Sequence, residues 1–275
     1  EAGPGAGIAY NRQGKARAGM GIATGVIDEG SYPSIAVGNF SRQPISLFTA
    51  SPSGVFIDRA YASKIGKPSF LTLTFGLNLF DADLDGDLDL FAANGHVFTD
   101  IQKKVANIPF RQPPHLFLND GSGVFADVAD TLAGTFADSL VARASAYADI
   151  DGDGDLDLLI VENNGPPHLL RNNTGGRFLR VELKGERGNP NAIDAQLTLR
   201  TNLSRTLIRR VKSSDSYLAQ SEFPVTFGLQ EGEVPLELTV RWPVAEGHTT
   251  THQDLVANGK YRIFENGSVE NLESR

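Results

Sequence analysis

The chain has 275 residues, of which 33 are acidic and 25 are basic, so its formal net charge is -8. It has no basic stripe and no cluster of lysine and arginine, which argues against binding to nucleic acid or to an anionic membrane surface. The absence of cysteine excludes disulfides and thiolate chemistry, and no apolar run approaches the roughly 18 residues that a membrane-spanning helix needs.

Glycine and proline are frequent, with 29 and 14 residues, and the apolar runs between them are short, which predicts an all-β fold with many turns. The N-terminal part contains three copies of one pattern, each with about four short strand candidates, the content of one propeller blade. The first copy covers residues 20–58. We expect it to keep the fold but to bind no Ca²⁺, because Asp28 is its one carboxylate at the positions where the other copies have a full set.

The second copy covers residues 75–128 and contains the acidic stretch Asp81-Ala-Asp-Leu-Asp-Gly-Asp-Leu-Asp89. It carries an insertion over residues 96–112, which we expect to form a surface loop. The third copy covers residues 144–178, contains Asp149-Ile-Asp-Gly-Asp-Gly-Asp-Leu-Asp157 and ends with Gly176-Arg-Phe178. The two acidic stretches therefore stand at equivalent places in consecutive copies.

After about residue 175 the pattern changes to alternating apolar and polar residues, which is typical of half-buried strands. Such segments are 178–183, 195–200, 206–211, 236–242 and 261–264. We therefore predict two domains, with blades over residues 1–175 and a smaller β-domain over residues 176–275.

The two acidic stretches have the ligand pattern of a hard-cation site. Each has aspartates at positions 1, 3, 5, 7 and 9 and glycine at position 6, and Ca²⁺ binds about six to eight oxygens in such loops. Five like charges in nine residues repel one another unless a cation lies among them. We predict two Ca²⁺ sites, in which position 7 contributes its backbone carbonyl and the other aspartates their side chains. The predicted ligands are Asp81, Asp83, Asp85, Asp87 and Asp89 in the second copy and Asp149, Asp151, Asp153, Asp155 and Asp157 in the third.

EF-hand loops share this spacing, but an EF-hand needs flanking helices and a bidentate glutamate at position 12. Position 12 is Ala92 or Ile160 here, and strand-like apolar runs follow both loops. We therefore place each loop in a β-hairpin turn, with Ca²⁺ as a structural staple and not as a catalytic metal. The alternative is a solvated acidic turn without metal, which two full matches in register within a repeat disfavour.

Outside the loops the sequence indicates no catalytic residues. His115 and His168 occupy equivalent positions in two Pro-Pro-His-Leu segments, which favours a structural role in the blades. The sequence has neither a Gly-x-Ser-x-Gly nucleophile motif nor a phosphate-binding glycine loop. Enzyme activity stays an open question, with a non-enzymatic role favoured.

The three copies resemble FG-GAP/VCBS repeats, the integrin-α-like propeller repeats with an Asp-rich Ca²⁺ loop. The C-terminal part resembles the ASPIC/UnbV domain over residues 189–195, 209–221, 225–229 and 240–243. Together they are similar to the cartilage acidic protein 1 (CRTAC) family and its bacterial relatives. The resemblance implies an all-β fold, with a partial β-propeller of about three FG-GAP/VCBS blades followed by a small β-domain, whereas propellers of this family close with about seven blades.

The resemblance implies a Ca²⁺-stabilised module in a secreted, extracellular or periplasmic location, with a role in adhesion through protein or glycan partners. A second hypothesis is an enzyme or accessory protein that acts on a polysaccharide or natural product in a cleft between the propeller and the C-terminal domain. A third is a structural subunit of a larger extracellular assembly, completed by further blades or a partner chain, because an open sheet edge pairs with other strands. None of the three involves nucleic acid or membrane insertion.

Overall fold

The computed structural model of the protein describes residues 3–11, 13–30, 32–186, 188–244 and 247–272. Helix is limited in these ranges to α1 (Gly3–Ala6), α2 (Ile101–Lys104) and three short 3₁₀ turns. The other regular elements are strands, which confirms the all-β prediction. Neither α1 nor α2, nor any other helix of the described ranges, is long and apolar enough to cross a membrane.

Three antiparallel sheets follow one another along the N-terminal part, and each is a meander of sequential strands. The first sheet contains β1 (Ile22–Gly25), β2 (Ser34–Val37), β3 (Ser46–Ala50) and β4 (Phe56–Asp58). The second contains β5 (Thr74–Phe80), β6 (Asp89–Asn94), β7 (His115–Asn119) and β8 (Phe125–Asp127). The third contains β9 (Ala142–Ala148), β10 (Asp157–Glu162) and β11 (Pro167–Leu170). Each sheet arises from one sequence copy, and we call the sheets blades 1, 2 and 3.

The blades stack face to face, with their first strands β1, β5 and β9 as neighbours. One apolar core lies between blades 1 and 2 and includes Leu47, Leu79 and Phe117. A second core lies between blades 2 and 3 and includes Phe91 and Ile160. Strand β6 is buried along its whole length because it has a blade on each side, which explains why its sequence is mostly apolar instead of alternating. The stacking is propeller-like, as the repeats predicted.

The chain after blade 3 forms two four-stranded sheets that share one core around Val181, Phe227 and Trp242. One sheet has the order β15 (Val225–Leu229), β12 (Arg177–Lys184), β18 (Gly259–Phe264) and β19 (Val269–Asn271). The other has the order β14 (Thr206–Arg210), β13 (Gln196–Thr201), β16 (Pro235–Arg241) and β17 (Thr249–His252). Strands β12 and β18 are parallel, although they are far apart in the sequence.

The prediction of about three blades understates the number of sheets, because the described residues form five. Three follow the sequence copies, and the other two come from the C-terminal strands. Those strands pair across long sequence separations, such as β12 with β18, and long-range pairing leaves no repeat in the sequence.

Two further details differ from the predictions. Arg177 and Phe178 begin β12 and pair with β15, so they do not continue the third copy, and blade 3 has no fourth strand in the described part of the chain. The insertion over residues 96–112 does not lie entirely at the surface, since His96, Ile108 and Gln112 are buried. Gln112 anchors the end of the insertion in the fold, because its backbone pairs with that of Leu140 and its side chain accepts a hydrogen bond from the Leu73 N–H.

Candidate metal centre

Both acidic loops connect the first and second strands of a blade, as the hairpin interpretation predicted. The first loop leaves β5 at Asp81 and enters β6 at Asp89, and the second leaves β9 before Asp149 and enters β10 at Asp157. Position 6 has a positive φ in both loops, 94° at Gly86 and 103° at Gly154, a conformation that favours glycine. A Cβ atom at residue 154 would also lie within 2.5 Å of the Phe178 ring, so no side chain fits there.

The first loop gathers three of its five aspartates. Asp81, Asp83 and Asp89 each offer one oxygen within 4.8 Å of the others, and Asp81 and Asp89 are almost fully buried. The other two are not part of this group. The Asp85 carboxylate accepts a hydrogen bond from the Asp87 N–H at 2.8 Å, and the Asp87 carboxylate pairs with Arg205 at 3.0 Å.

The electrostatics of this cluster fit a cation. Burial, with a contribution from neighbouring aspartates, raises the pKa of Asp81 to about 7 and that of Asp89 to about 9. Burial also raises the pKa of Asp83. Three carboxylates so close together are poorly ionised without a positive charge among them. Oδ1 of Asp81 and Oδ1 of Asp83 are buried without a hydrogen-bond partner, and such acceptors are the ligands that a hard cation takes.

The second loop gathers a different set. Asp149, Asp151 and Asp153 lie within 4.8 Å of one another, and Oδ1 of Asp149 is buried without a hydrogen-bond partner. Asp157 is not in this set, and the Oδ2 of Asp155 accepts a hydrogen bond from the Gly175 N–H at 3.0 Å. The position 7 residues are Asp87 and Asp155, and a ligand role for their backbone carbonyls stays a prediction. The oxygen clusters therefore fit a metal with partly different aspartates in the two loops.

Three basic side chains lie close to the second cluster, which the sequence analysis did not anticipate. Arg171 pairs with Asp151 and lies 3.8 Å from Asp153. Arg180 lies 3.4 Å from the Oδ2 of Asp149, and Lys260 lies 3.9 Å from the same atom. Because Asp151 and Asp153 are also exposed, this cluster is less buried and better neutralised than the first.

The aspartate at position 9 organises each loop through hydrogen bonds. Asp89 accepts the N–H groups of Ala82 and Asn119, both at 2.8 Å. Asp157 accepts the N–H groups of Ile150 and Asn172 at 3.0 and 2.8 Å. Position 9 thus ties the start of the loop to the last residue of β7 in blade 2 and to the segment just after β11 in blade 3.

Two asparagines at the loops were not singled out by the sequence reasoning. The Asn119 side chain donates to the Leu88 carbonyl of its own loop at 3.1 Å and to the Ile27 carbonyl of blade 1 at 2.8 Å. The Asn172 side chain donates in the same way to Leu156 at 3.4 Å and to Ala82 of blade 2 at 2.8 Å. The signal was present in the sequence, because both copies place asparagine four residues after the histidine of the Pro-Pro-His-Leu segment, His115 or His168.

The C-terminal sheets contact the first loop directly. Arg205 donates to the Asp85 carbonyl at 2.9 Å, and Arg209 donates to the Gly86 carbonyl at 2.8 Å. The Gly228 N–H donates to Oδ2 of Asp81 at 2.9 Å. The loop therefore lies between the blades and the C-terminal sheets instead of projecting into solvent.

The other sequence candidates belong to the blades. His115 pairs with Asp127 at 2.7 Å, and His168 pairs with Glu162 at 3.1 Å. In the first copy, Asp28 accepts a hydrogen bond from Gly30 and lies 4.0 Å from Arg59. That this copy binds no Ca²⁺ stays a prediction.

Stacked antiparallel meanders, two of which contain an Asp-rich hairpin loop between their first and second strands, define a propeller-type repeat protein. Comparison with family models agrees: residues 81–160 match the FG-GAP-like repeat, and residues 185–270 match the family described as ASPIC and UnbV. The chain therefore contains FG-GAP-like repeats followed by an ASPIC/UnbV domain. A search of curated proteins gave no match.

Proposed function

We propose that this protein is a Ca²⁺-stabilised extracytoplasmic binding module, related to the CRTAC family, that engages protein or glycan partners. The buried oxygens of Asp81 and Asp83 carry the proposal, because they have no hydrogen-bond partner inside a cluster of carboxylates with raised pKa values. A bound Ca²⁺ would neutralise that charge and hold the hairpin. Secretion to an extracellular or periplasmic space follows, since loops of extracellular modules bind Ca²⁺ at roughly 10⁻⁴ to 10⁻³ M.

We further propose two domains, residues 1–175 and 176–275. The support is that the strands after residue 176 pair only with one another among the described elements and share their own core. Residues 1, 2, 12, 31, 187, 245, 246 and 273–275 of these ranges lie outside the described residues.

Calorimetric titration of metal-free protein with Ca²⁺ tests the proposal, with two sites expected. At ten times its dissociation constant, Ca²⁺ adds about 1.4 kcal/mol of stability per site, which raises the melting temperature by a few degrees. Asp81→Asn should remove one site. Asp138→Asn, at an exposed position between blades 2 and 3, is the matched control. A melting temperature that is the same in EDTA and in millimolar Ca²⁺ would refute the staple.

A cavity of about 110 Å³ between the blades and the C-terminal sheets keeps the enzyme or accessory hypothesis as a second candidate. Tyr147, Lys212 and Asp215 line it, and burial raises the pKa of Asp215. Lys212, however, donates to Asp215 at 2.9 Å and to the Thr24 carbonyl at 2.8 Å, which is also the pattern of a structural ion pair. Saturation-transfer NMR with small sugars, with Lys212→Met as the comparison variant, would distinguish ligand binding in this cavity from a purely structural ion pair.

A further inference from the structure

Within the part of the chain that the structure describes, blade 3 lacks the outermost strand that the other two blades have. In blades 1 and 2, a Gly-Val-Phe-x-Asp segment forms this strand, with Phe48 opposite Asp58 and Phe117 opposite Asp127. The corresponding segment of the third copy leaves the blade, since Arg177 begins β12. Strand β11 (Pro167–Leu170) is therefore the edge of its sheet, with unpaired backbone groups that accept another strand.

The outermost strand of blade 2 shows what this position normally does. Phe125, its aromatic residue, is 2% exposed and belongs to the core between blades 1 and 2. Its backbone N–H donates to the Ser63 carbonyl, in the segment that follows β4, at 3.1 Å. The strand thus closes the gap between two blades with one aromatic side chain and one backbone contact.

The equivalent gap between blades 2 and 3 is an open groove of about 470 Å³. Its apolar lining repeats the surroundings of Phe125: Leu47, Leu90 and Phe117 there correspond in register to Leu116, Leu158 and Leu170 here. The segment after β8 contributes Leu132 to the outer wall of the groove. Leu132 lies five residues after Asp127, and Ser63 likewise lies five residues after Asp58. The described residues therefore repeat these parts of the blade 1–blade 2 junction but not its outer strand.

We propose that this groove binds an extended segment of a partner protein as the fourth strand of blade 3, with an aromatic side chain of that segment between the blades. Main-chain hydrogen bonds to β11 would give affinity, and the apolar groove would select the aromatic residue. The partner segment resembles the chain's own outer strands, with glycine two residues before the aromatic residue. The inference deepens the proposed function and rests on it, because it gives the binding module a site and makes the partner a protein.

The probe is a fluorescent synthetic peptide with the sequence of residues 120–130, which form the outer strand of blade 2 and its flanks. We expect saturable binding to the intact protein in Ca²⁺, measured by fluorescence anisotropy. The Phe125→Ala form of the peptide should bind at least about tenfold more weakly, since an aromatic anchor in a pocket dominates such contacts. The Leu132→Arg protein should lose binding to a similar degree, and Leu203→Arg, at a residue that is exposed in a C-terminal turn, should not.

Absence of peptide binding to folded protein overturns the proposal, and so does binding that neither Phe125→Ala nor Leu132→Arg reduces. If the protein sediments as a dimer that Leu132→Arg dissociates, the occupant is a second copy and the assignment to a partner protein fails. These outcomes are independent of the calcium test, because the melting temperature in EDTA and in Ca²⁺ is measured without peptide.

Discussion

Aspartates at neighbouring positions of the first loop have different roles. Asp89 uses both carboxylate oxygens as acceptors for the N–H groups of Ala82 and Asn119, whereas Asp83 keeps a buried oxygen without a partner. Asp89 thus holds the hairpin together by its own hydrogen bonds, whereas the proposed cation site is the role that remains for the unpartnered oxygen of Asp83. The ligand motif treats both residues alike, and only their hydrogen bonds distinguish them.

Asp83→Asn and Asp89→Asn should therefore have separable effects. Asp83→Asn removes one repelling charge, so we expect weaker Ca²⁺ binding without loss of stability in EDTA. Asp89→Asn turns an amide donor toward a backbone donor, and we expect it to lower the free energy of unfolding in EDTA by about 1–3 kcal/mol. Urea unfolding in EDTA and in Ca²⁺ measures both quantities. Equal losses in EDTA would contradict the division of roles.

Glu162 is a buried carboxylate outside the two aspartate clusters. Its Oε1 accepts from the Val141 N–H at 3.1 Å and from Arg111 at 2.7 Å, and its Oε2 contacts His168 at 3.1 Å. Burial raises its pKa, but the hydrogen bonds from His168 and Val141 and the charge of Arg111 outweigh burial, so the pKa is lowered overall. A lowered pKa in the folded state stabilises the fold above the unfolded value, and this stabilisation disappears as the pH falls.

The stability difference between native protein and Glu162→Gln should follow that dependence. We expect a loss of about 1–3 kcal/mol at pH 7, and a smaller loss as the pH falls below roughly 4.3, the unfolded value. Urea unfolding between pH 3 and pH 7 measures the difference. Glu231→Gln, at an exposed turn, should show no such trend. A loss that stays constant across this range would mean that the charge of Glu162 contributes nothing.

The asparagines that end β7 and the segment after β11 link each blade to the one before it. Asn119 bridges the loop of blade 2 and the Ile27 carbonyl of blade 1, and Asn172 bridges the loop of blade 3 and the Ala82 carbonyl of blade 2. The equivalent residue in blade 1 is Ala50, which has no side-chain donor. Each of these asparagines therefore links its own blade to the blade that precedes it in the sequence.

Asn119→Ala should cost about 1–3 kcal/mol of unfolding free energy, because it leaves two buried carbonyls without their donor. Asn173→Ala is the control, since Asn173, which follows Asn172, is exposed. Chemical unfolding in saturating Ca²⁺ measures both. If the two variants lose the same stability, the inter-blade bridge does not contribute.

The sequence predicted the elements whose determinants are local. The Asp-rich hairpins, the three copies and the alternating C-terminal strands all depend on residues close together in the chain. The segment 176–178 has the same Gly-x-Phe pattern as residues 123–125, yet it enters a different sheet, because pairing with β15 and β18 decides its position. The contacts of Arg205 and Arg209 with the first loop span more than a hundred residues, and no local pattern encodes them.

One serine of the C-terminal part contacts the first strands of all three blades. The Ser216 backbone pairs with Ile22 of β1, and its Oγ accepts the N–H groups of Leu77 in β5 at 3.0 Å and Ser145 in β9 at 3.3 Å. Together with the contacts of Arg205, Arg209 and Gly228 to the first loop, this places the C-terminal part against both the first strands of the blades and the candidate metal centre. Such an interface predicts that the two parts unfold together.

Trp242 offers a direct test of that coupling, because it is the chain's single tryptophan and lies in the core of the C-terminal sheets, which contains none of the predicted Ca²⁺ ligands. If the parts unfold as one unit, Ca²⁺ at ten times its dissociation constant should stabilise the Trp242 transition by about 1.4 kcal/mol per occupied site. Arg205→Gln removes the contacts to Asp85 and Asp87 and should reduce the Ca²⁺-dependent stabilisation of the Trp242 transition. Arg200→Gln, at a residue exposed on the neighbouring strand, should preserve that stabilisation. Urea unfolding followed by Trp242 fluorescence and by far-ultraviolet circular dichroism measures both transitions. A Ca²⁺ shift in the dichroism without one in the fluorescence would show that the blades respond to the cation alone.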